Sequence, residues 1–299
     1  MIKDFQVSSD AFWLAFRPKP LGHWQNGPMD ASRPFRLSII DYLNATPLNY
    51  GFKHNLGRGL FELQFQVPSL CADHLRSGVV DAGLISSIEY LRIPELRIVP
   101  GLCIASVKRV RSVLLLSKVP PSEIRSLALD ASSRTSVVLS QLLLRERHGT
   151  SPRVEEMQPH LAEMLAHHDA ALLIGDAAMR ANKSSLIVLD LAEEWHAWTG
   201  LPFVFAFWAV RPDAPPLPNL VSYFQRSFEM GRKATPVIVE AALSVIGWTR
   251  LELQEYLTEN IQYVLGEAEE QSLALFFAKA VSQGFANDLK PIQYLEPPT

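Results

Sequence analysis

Short apolar runs punctuate this chain, and each is bounded by polar or turn-forming residues. The runs at 35–40, 61–67, 79–85, 112–116, 127–129, 170–174, 186–189 and 204–210 predict β-strands. Within 61–67, Phe61, Leu63, Phe65 and Val67 alternate with polar residues, which gives that strand one solvated face. The other runs are apolar almost throughout, as strands covered on both faces by helices should be. Helical patterns fill the gaps. One starts near Ser69 and stops at Gly78, and another runs from about Ser136 to just before Gly149. From about Leu217 the chain reads as mostly helical. Its last long helix, 268–282, carries an apolar stripe at Leu273, Leu275, Phe276, Ala280 and Val281. Strands alternating with helices, without an internal repeat, predict an α/β protein.

The most informative positions are the strand ends. Ile40 leads into Asp41-Tyr42-Leu43-Asn44-Ala45-Thr46-Pro47, and Ile85 into Ser86-Ser87. Leu129 leads into Asp130 and then Ser132 through Ser136, and Ile174 into Gly175-Asp176. At each of these four places a strand feeds a helix N-terminus through short polar side chains. Such termini carry free N–H groups and the positive end of the helix dipole, and in open α/β sheets ligands sit at the carboxyl ends of strands. A cleft that binds an anion is the expected result.

Composition narrows the class. With 299 residues, 48% of them hydrophobic, the chain can fill about two domains. Its 28 basic and 31 acidic residues leave a net charge of -3, and no basic run points to nucleic acid or a membrane surface. Two cysteines, Cys71 and Cys103, make no disulfide framework and no metal pair, so buried thiols are expected. Neither a secretory signal nor an apolar stretch long enough to span a bilayer is visible, which predicts a cytoplasmic protein. Residues 1–34 read as an N-terminal extension, and a chain starting at Met29 is expected to fold and work.

The segment from Asp41 to Leu48 resembles the opening of the menaquinone-biosynthetic chorismate dehydratases. The likeness continues through Leu75–Ile85, Ser87–Leu91, Val110–Leu115, Ala128–Asp130, Ser133–Val137, Ala170–Ala178, Glu194-Trp195 and Thr199–Trp208, in order, and spans 35 to about 290. It departs at Ala105–Val110, where the family's glycine is missing, and at Ser86, where a proline is common. The resemblance implies a periplasmic-binding-protein-like fold of type II, with a ligand cleft between two α/β lobes and a two-segment hinge. Lobe 1 would be 35–116 plus 206–299, and lobe 2 would be 117–205.

The implied substrate, chorismate, carries two carboxylates, a ring hydroxyl and an enolpyruvyl ether. Losing the hydroxyl together with the ring proton beside the ether oxygen gives an aromatic product and water. That reaction needs no metal and no redox cofactor in principle, and the chain carries no nucleotide or zinc-protease fingerprint. Asn44 and Ser112 are the candidate catalytic residues. Thr135 and Ser136 would hold one carboxylate, and Ser86, Gly175, Asp176 and Asp41 complete the substrate-binding set. No histidine falls inside the matching motifs. Asp41 and Glu89 are the acids near strand ends, with Asp41 the stronger candidate base. The alternative is that the substrate's own enolpyruvyl carboxylate takes the proton. A monomer or homodimer is expected. Two other readings stay open on the same scaffold: a solute-binding protein for a small aromatic acid, and the related 1,4-dihydroxy-6-naphthoate synthase.

Overall fold

A computed structural model describes residues 33–296. The expected extension at 1–34 therefore lies, apart from its last two residues, outside the described residues. In chain order the first elements are β1 (Phe35–Ile40), α1 (Thr46–Lys53), β2 (Phe61–Gln66), α2 (Pro68–Ser77), β3 (Ala82–Ser86), α3 (Glu89–Arg92) and β4 (Arg97–Ser106). A middle block follows with β5 (Val113–Ser117), β6 (Ser126–Asp130), α4 (Thr135–His148), β7 (Arg153–Met157) and α5 (Leu161–His167). It closes with β8 (Ala170–Ile174), α6 (Gly175–Arg180), β9 (Ile187–Asp190) and α7 (Leu191–Thr199). The chain then returns through β10 (Phe203–Val210) to α8 (Leu220–Lys233), α9 (Thr235–Ile246), α10 (Arg250–Glu255), a π-helical turn at Tyr256–Asn260 and α11 (Glu267–Ser282).

The strands form two five-stranded sheets, ordered β2-β1-β3-β10-β4 and β7-β6-β8-β5-β9. The two orders are topologically equivalent. In each, three parallel strands meet one antiparallel strand, which also pairs antiparallel with the edge strand beyond it. That antiparallel strand is the one that has just crossed over: β5 arrives from the first sheet, and β10 arrives from the second. The crossings are the segments 107–112 and 191–202.

Strand pairing revises several expectations. The run at 112–116 is β5 (Val113–Ser117) and pairs in the second sheet. All of β10 from Phe203 pairs in the first sheet, rather than from 206. The run at 79–85 becomes a strand only at Ala82, because Gly78 adopts φ 75° and Val79 N–H caps α2 on the His74 carbonyl. Two strands are additional. β4 hides behind Pro100 and Gly101, and Gly101 sits at φ 76°. β7, Arg-Val-Glu-Glu-Met, is a charged edge strand with little of the apolar signal that marks a covered one.

Packing around each sheet is apolar and dense. Leu37, Ile39, Leu84, Phe207 and Trp208 are fully buried in the first sheet, and Leu114, Leu116, Ala128, Ala171 and Leu173 form the core of the second. Both cysteines are buried and free. Helices α1 and α8 cross unusually closely. A β-carbon on Gly231 would lie 2.0 Å from the Pro47 carbonyl oxygen, and one on Gly51 would lie 2.6 Å from Ser227 Cα. Ser227 Oγ donates to the Leu48 carbonyl at 2.7 Å and accepts from Gly51 N–H at 3.0 Å. The crossings are tied by Asp190. Its buried carboxylate accepts Val110 N–H (3.1 Å) and Arg111 N–H (2.7 Å) from one crossing, and Ala192 N–H (3.1 Å) and Glu193 N–H (3.3 Å) from the other.

Two substitutions test this frame by urea unfolding. Gly231→Ala should lower stability by about 3 kcal/mol, because backbone faces the new methyl and cannot yield. Asp190→Ala should cost about 3 kcal/mol by stranding buried N–H donors that now share one carboxylate. Unchanged midpoints would contradict the close crossing and the tie respectively.

Candidate active site

The carboxyl ends of strands from both sheets point into one hollow. It is bordered by Ile40, Tyr42, Asn44, Pro68, Ser86, Ile104, Val113, Ser133, Thr135, Ser136, Ile174, Gly175, Phe205 and Ala206, and encloses about 50 Å3. Tyr42, Asn44, Pro68, Ser86, Ser133, Thr135, Ser136, Ile174 and Gly175 sit at or just before the starts of α1, α2, α3, α4 and α6. The first turn of each helix leaves N–H groups without an intrahelical partner, so positive potential gathers on one small space. The side walls are apolar: Ile40, Ile104, Val113, Ile174 and Phe205.

Five of the expected residues, Asn44, Ser86, Thr135, Ser136 and Gly175, border this hollow. The Asn44 amide is half-buried, and no hydrogen bond engages it among the described residues. Ser86 and Ser136 are buried. Thr135 does two things at once. Its Oγ accepts Ile88 N–H at 3.1 Å and lies 3.2 Å from Ser87 Oγ, while its position at the start of α4 leaves its own N–H without an intrahelical acceptor. Ser112 lies behind Val113, fully buried, and its Oγ accepts a hydrogen bond from Tyr256 Oη at 2.8 Å.

Two expected ligands sit elsewhere. Asp41 turns outward, 62% exposed, and pairs with Lys53 at 2.5 Å. Asp176 accepts Leu43 N–H at 3.1 Å. Both border a separate groove of about 390 Å3 between α1 and α9, on the far side of Tyr42. The physical reason is local. A side chain one residue past a strand end points to the opposite face from its neighbour, so Tyr42 turns inward and Asp41 outward. Burial pushes the Asp176 carboxyl above the usual carboxylate range, and its hydrogen bond with Leu43 N–H opposes that shift. Glu89, the other acid near a strand end, is clamped by Arg76 and Arg92.

Tyr42 and Ser133 are site residues that the sequence pattern did not single out. Tyr42 lies against Gly175, where a β-carbon would come within 2.7 Å of the ring and where φ is +57°. A side chain at 175 would therefore displace the ring as well as strain the backbone. Tyr42 Oη donates to Ser132 Oγ at 3.2 Å, and Ser132 Oγ donates to Asp130 Oδ1 at 2.6 Å. Asp130 Oδ2 accepts Ile174 N–H at 3.1 Å. Burial pushes both the Tyr42 hydroxyl and the Asp130 carboxyl above their usual ranges. Among the residues bordering the hollow there is no carboxylate and no imidazole.

A model of a menaquinone biosynthesis family matches residues 35–282. The chorismate dehydratase of Thermus thermophilus is 35% identical over 272 residues, covering 85% of this chain and 97% of that relative. Among solved structures, a protein from Archaeoglobus fulgidus superposes with a TM-score of 0.68 at 16% identity, over 84% of this chain and 98% of its own. The periplasmic aliphatic sulphonate binding protein SsuA from Escherichia coli gives 0.58 at 12% identity, over 91% and 96%. At those identities the structural likeness establishes the fold, which is that of periplasmic binding proteins and accounts for the paired sheets. No helix among the described residues is long and apolar enough to cross a membrane. The reach of the family model and the near-complete span of the Thermus relative lead to one conclusion: this chain belongs to the menaquinone-biosynthesis family that includes the chorismate dehydratases.

Proposed function

We infer that the chain is a chorismate dehydratase, a hydro-lyase that converts chorismate to 3-[(1-carboxyvinyl)oxy]benzoate and water, and that it works in the cytosol. The observation that carries this reading is the make-up of the hollow. Apolar walls, a ring of helix starts and an unengaged amide at Asn44 match a dianionic cyclohexadiene with a departing hydroxyl. At about 50 Å3 the hollow is well below the roughly 300 Å3 or more that small-molecule pockets offer. Entry therefore requires the two halves to part about the crossings at 107–112 and 191–202, which we take as the hinge between the lobes.

In this reading the N–H groups of Thr135 and Ser136, with the Ser136 hydroxyl, hold one carboxylate. Ser86 and Gly175 contact the substrate from opposite sides of the slot. The Asn44 amide donates to the leaving hydroxyl as charge develops on it. Ser112 does not reach the hollow; it acts by fixing the end of the first crossing, next to Val113 on the wall. The ring C–H bond next to the ether breaks, the ring C–O bond to the hydroxyl breaks, and the new double bond completes an aromatic ring. The proton and hydroxyl leave as water. With no carboxylate or imidazole on the wall, the substrate's own enolpyruvyl carboxylate accepts the proton, and the protein contributes by holding it beside the C–H bond.

Chorismate incubated with the protein should yield the benzoate product, identified by mass; binding without conversion would instead support a solute-binding role. Asn44→Ala and Ser112→Ala should each lower turnover by about 100-fold in protein that circular dichroism shows to be folded, with Ser112→Ala also losing about 1–2 kcal/mol of stability because it leaves the buried Tyr256 hydroxyl without a partner. Normal rates in both would remove them from the site. Asp41→Asn should keep turnover within about threefold of the parent, since its charge is directed to Lys53 and solvent. Complete loss of activity in a folded Asp41→Asn protein would make Asp41 the base and dismiss the substrate-assisted step.

A further inference from the structure

We propose that Tyr256 and Tyr263, two buried tyrosines in the segment joining α10 to α11, are positioning residues that together fix the spacing of Ser112 and Asn44. The proposal rests on the catalytic reading of those two residues. Each tyrosine reaches one of them. Tyr256 Oη donates to Ser112 Oγ at 2.8 Å, and Tyr263 Oη donates to the Asn44 backbone carbonyl at 3.0 Å. Both rings are buried, with exposures of 0% and 8%.

The segment that carries them is itself anchored on both sides. Gln262 exchanges backbone hydrogen bonds with Ala105, both at 2.8 Å, and Cys103 N–H donates to the Tyr263 carbonyl at 3.0 Å. Tyr263 is thus fixed to the end of β4 in the first sheet. Tyr256 opens the π-helical turn, and its ring meets Trp248 edge-on at 5.7 Å. Trp248 in turn lies under the Arg111 guanidinium at 4.1 Å and donates to the Met179 carbonyl at 3.1 Å. A π-turn interrupts the regular helical ladder and often marks a functional position. Here the chain leaves that turn with its two phenol groups aimed at two different strand ends.

The bond to Ser112 also sets the serine's polarity. Among the described residues, the other hydrogen bond of its hydroxyl, to the Val110 carbonyl, is long at 3.4 Å. A donating Tyr256 hydroxyl therefore occupies a Ser112 lone pair and turns the serine's own proton toward the Val110 carbonyl, which fixes the serine at the end of the first crossing. Burial raises both phenols far above the working pH range, so each remains a neutral donor throughout it. Merely filling the core would not require two hydroxyls, and phenylalanine would serve there as well.

The test is kinetic, on the full chain with chorismate. Tyr256→Phe should lower kcat by about tenfold and leave KM within about twofold. Placed in a Ser112→Ala background, it should cause no further fall, because its effect passes through the serine hydroxyl. Tyr263→Phe should behave likewise against Asn44→Ala. Equal falls in the parent and the substituted backgrounds, or no fall in the parent, would overturn the positioning role. Parent-like turnover in Ser112→Ala or Asn44→Ala alone would instead sink the catalytic reading on which the proposal stands. The Ser112→Ala background also covers the chance that Tyr256→Phe alone is unstable, since the pair leaves neither hydroxyl without a partner.

Discussion

One buried carboxylate holds the architecture in register. Asp190 closes β9, opens α7, and reaches back to the backbone of 110–111, so both chain crossings meet on a single side chain. Burial alone would favour a neutral acid at this position, and the N–H donors from the two crossings act against that. The arrangement has a geometric consequence. Arg111, with φ of 60°, lies in the left-handed region that side-chain-bearing residues seldom adopt, and its N–H is held by Asp190 at 2.7 Å. That turn delivers Ser112 and Val113 to the start of β5, where one is buried against Tyr256 and the other borders the hollow. A different crossing geometry would move both.

The two sheets repeat one topology, and each receives its antiparallel strand from the other half. This exchange explains why one hollow collects so many helix starts. Parallel strands end at the same edge, and right-handed connections send each into a helix at that edge. Placing two such edges face to face, linked by β5 and β10, brings the starts of α1, α2 and α3 opposite those of α4 and α6. The positive potential needed for a dianion then comes from backbone rather than from lysine or arginine. A site built this way can recognise carboxylates without placing a cation against the apolar ring.

Much of this was legible in the sequence for identifiable reasons. Covered strands such as Ala170–Ile174 and Phe203–Val210 are apolar runs, and that signal survives in any context. The strand-end motifs pointed to Asn44, Ser86, Thr135, Ser136 and Gly175, and these five border one hollow, because strands of both sheets end at edges that face each other; any one of them alone would read as a helix cap. The strand β7 was invisible because an exposed edge carries charge in place of the apolar signal. Tyr42 borders the hollow and Asp41 does not, because adjacent residues after a strand face opposite sides, and composition is blind to which faces inward. The tyrosines at 256 and 263 lie far along the chain in a segment that reads as plain helix, and only the tertiary contact reveals what their hydroxyls touch.

The polar groups that span the hollow's rim divide into those that close it and those left for a ligand. Tyr42 Oη to Ser132, Leu43 N–H to Asp176, Ser69 N–H to the Ser132 carbonyl and Ile88 N–H to Thr135 Oγ all run between residues of the first half and residues of the second. Each is a single hydrogen bond worth about 1 kcal/mol net, so the set stabilises contact between the halves without locking it. The division explains why Thr135 contributes backbone rather than hydroxyl to the hollow: its Oγ is already engaged across the rim. It also assigns Gly175 a second duty. The bare Cα is what lets the Tyr42 ring lie against the second half. The hydrogen bonds between the halves and the polar groups that border the hollow are therefore supplied by neighbouring atoms of the same helix starts.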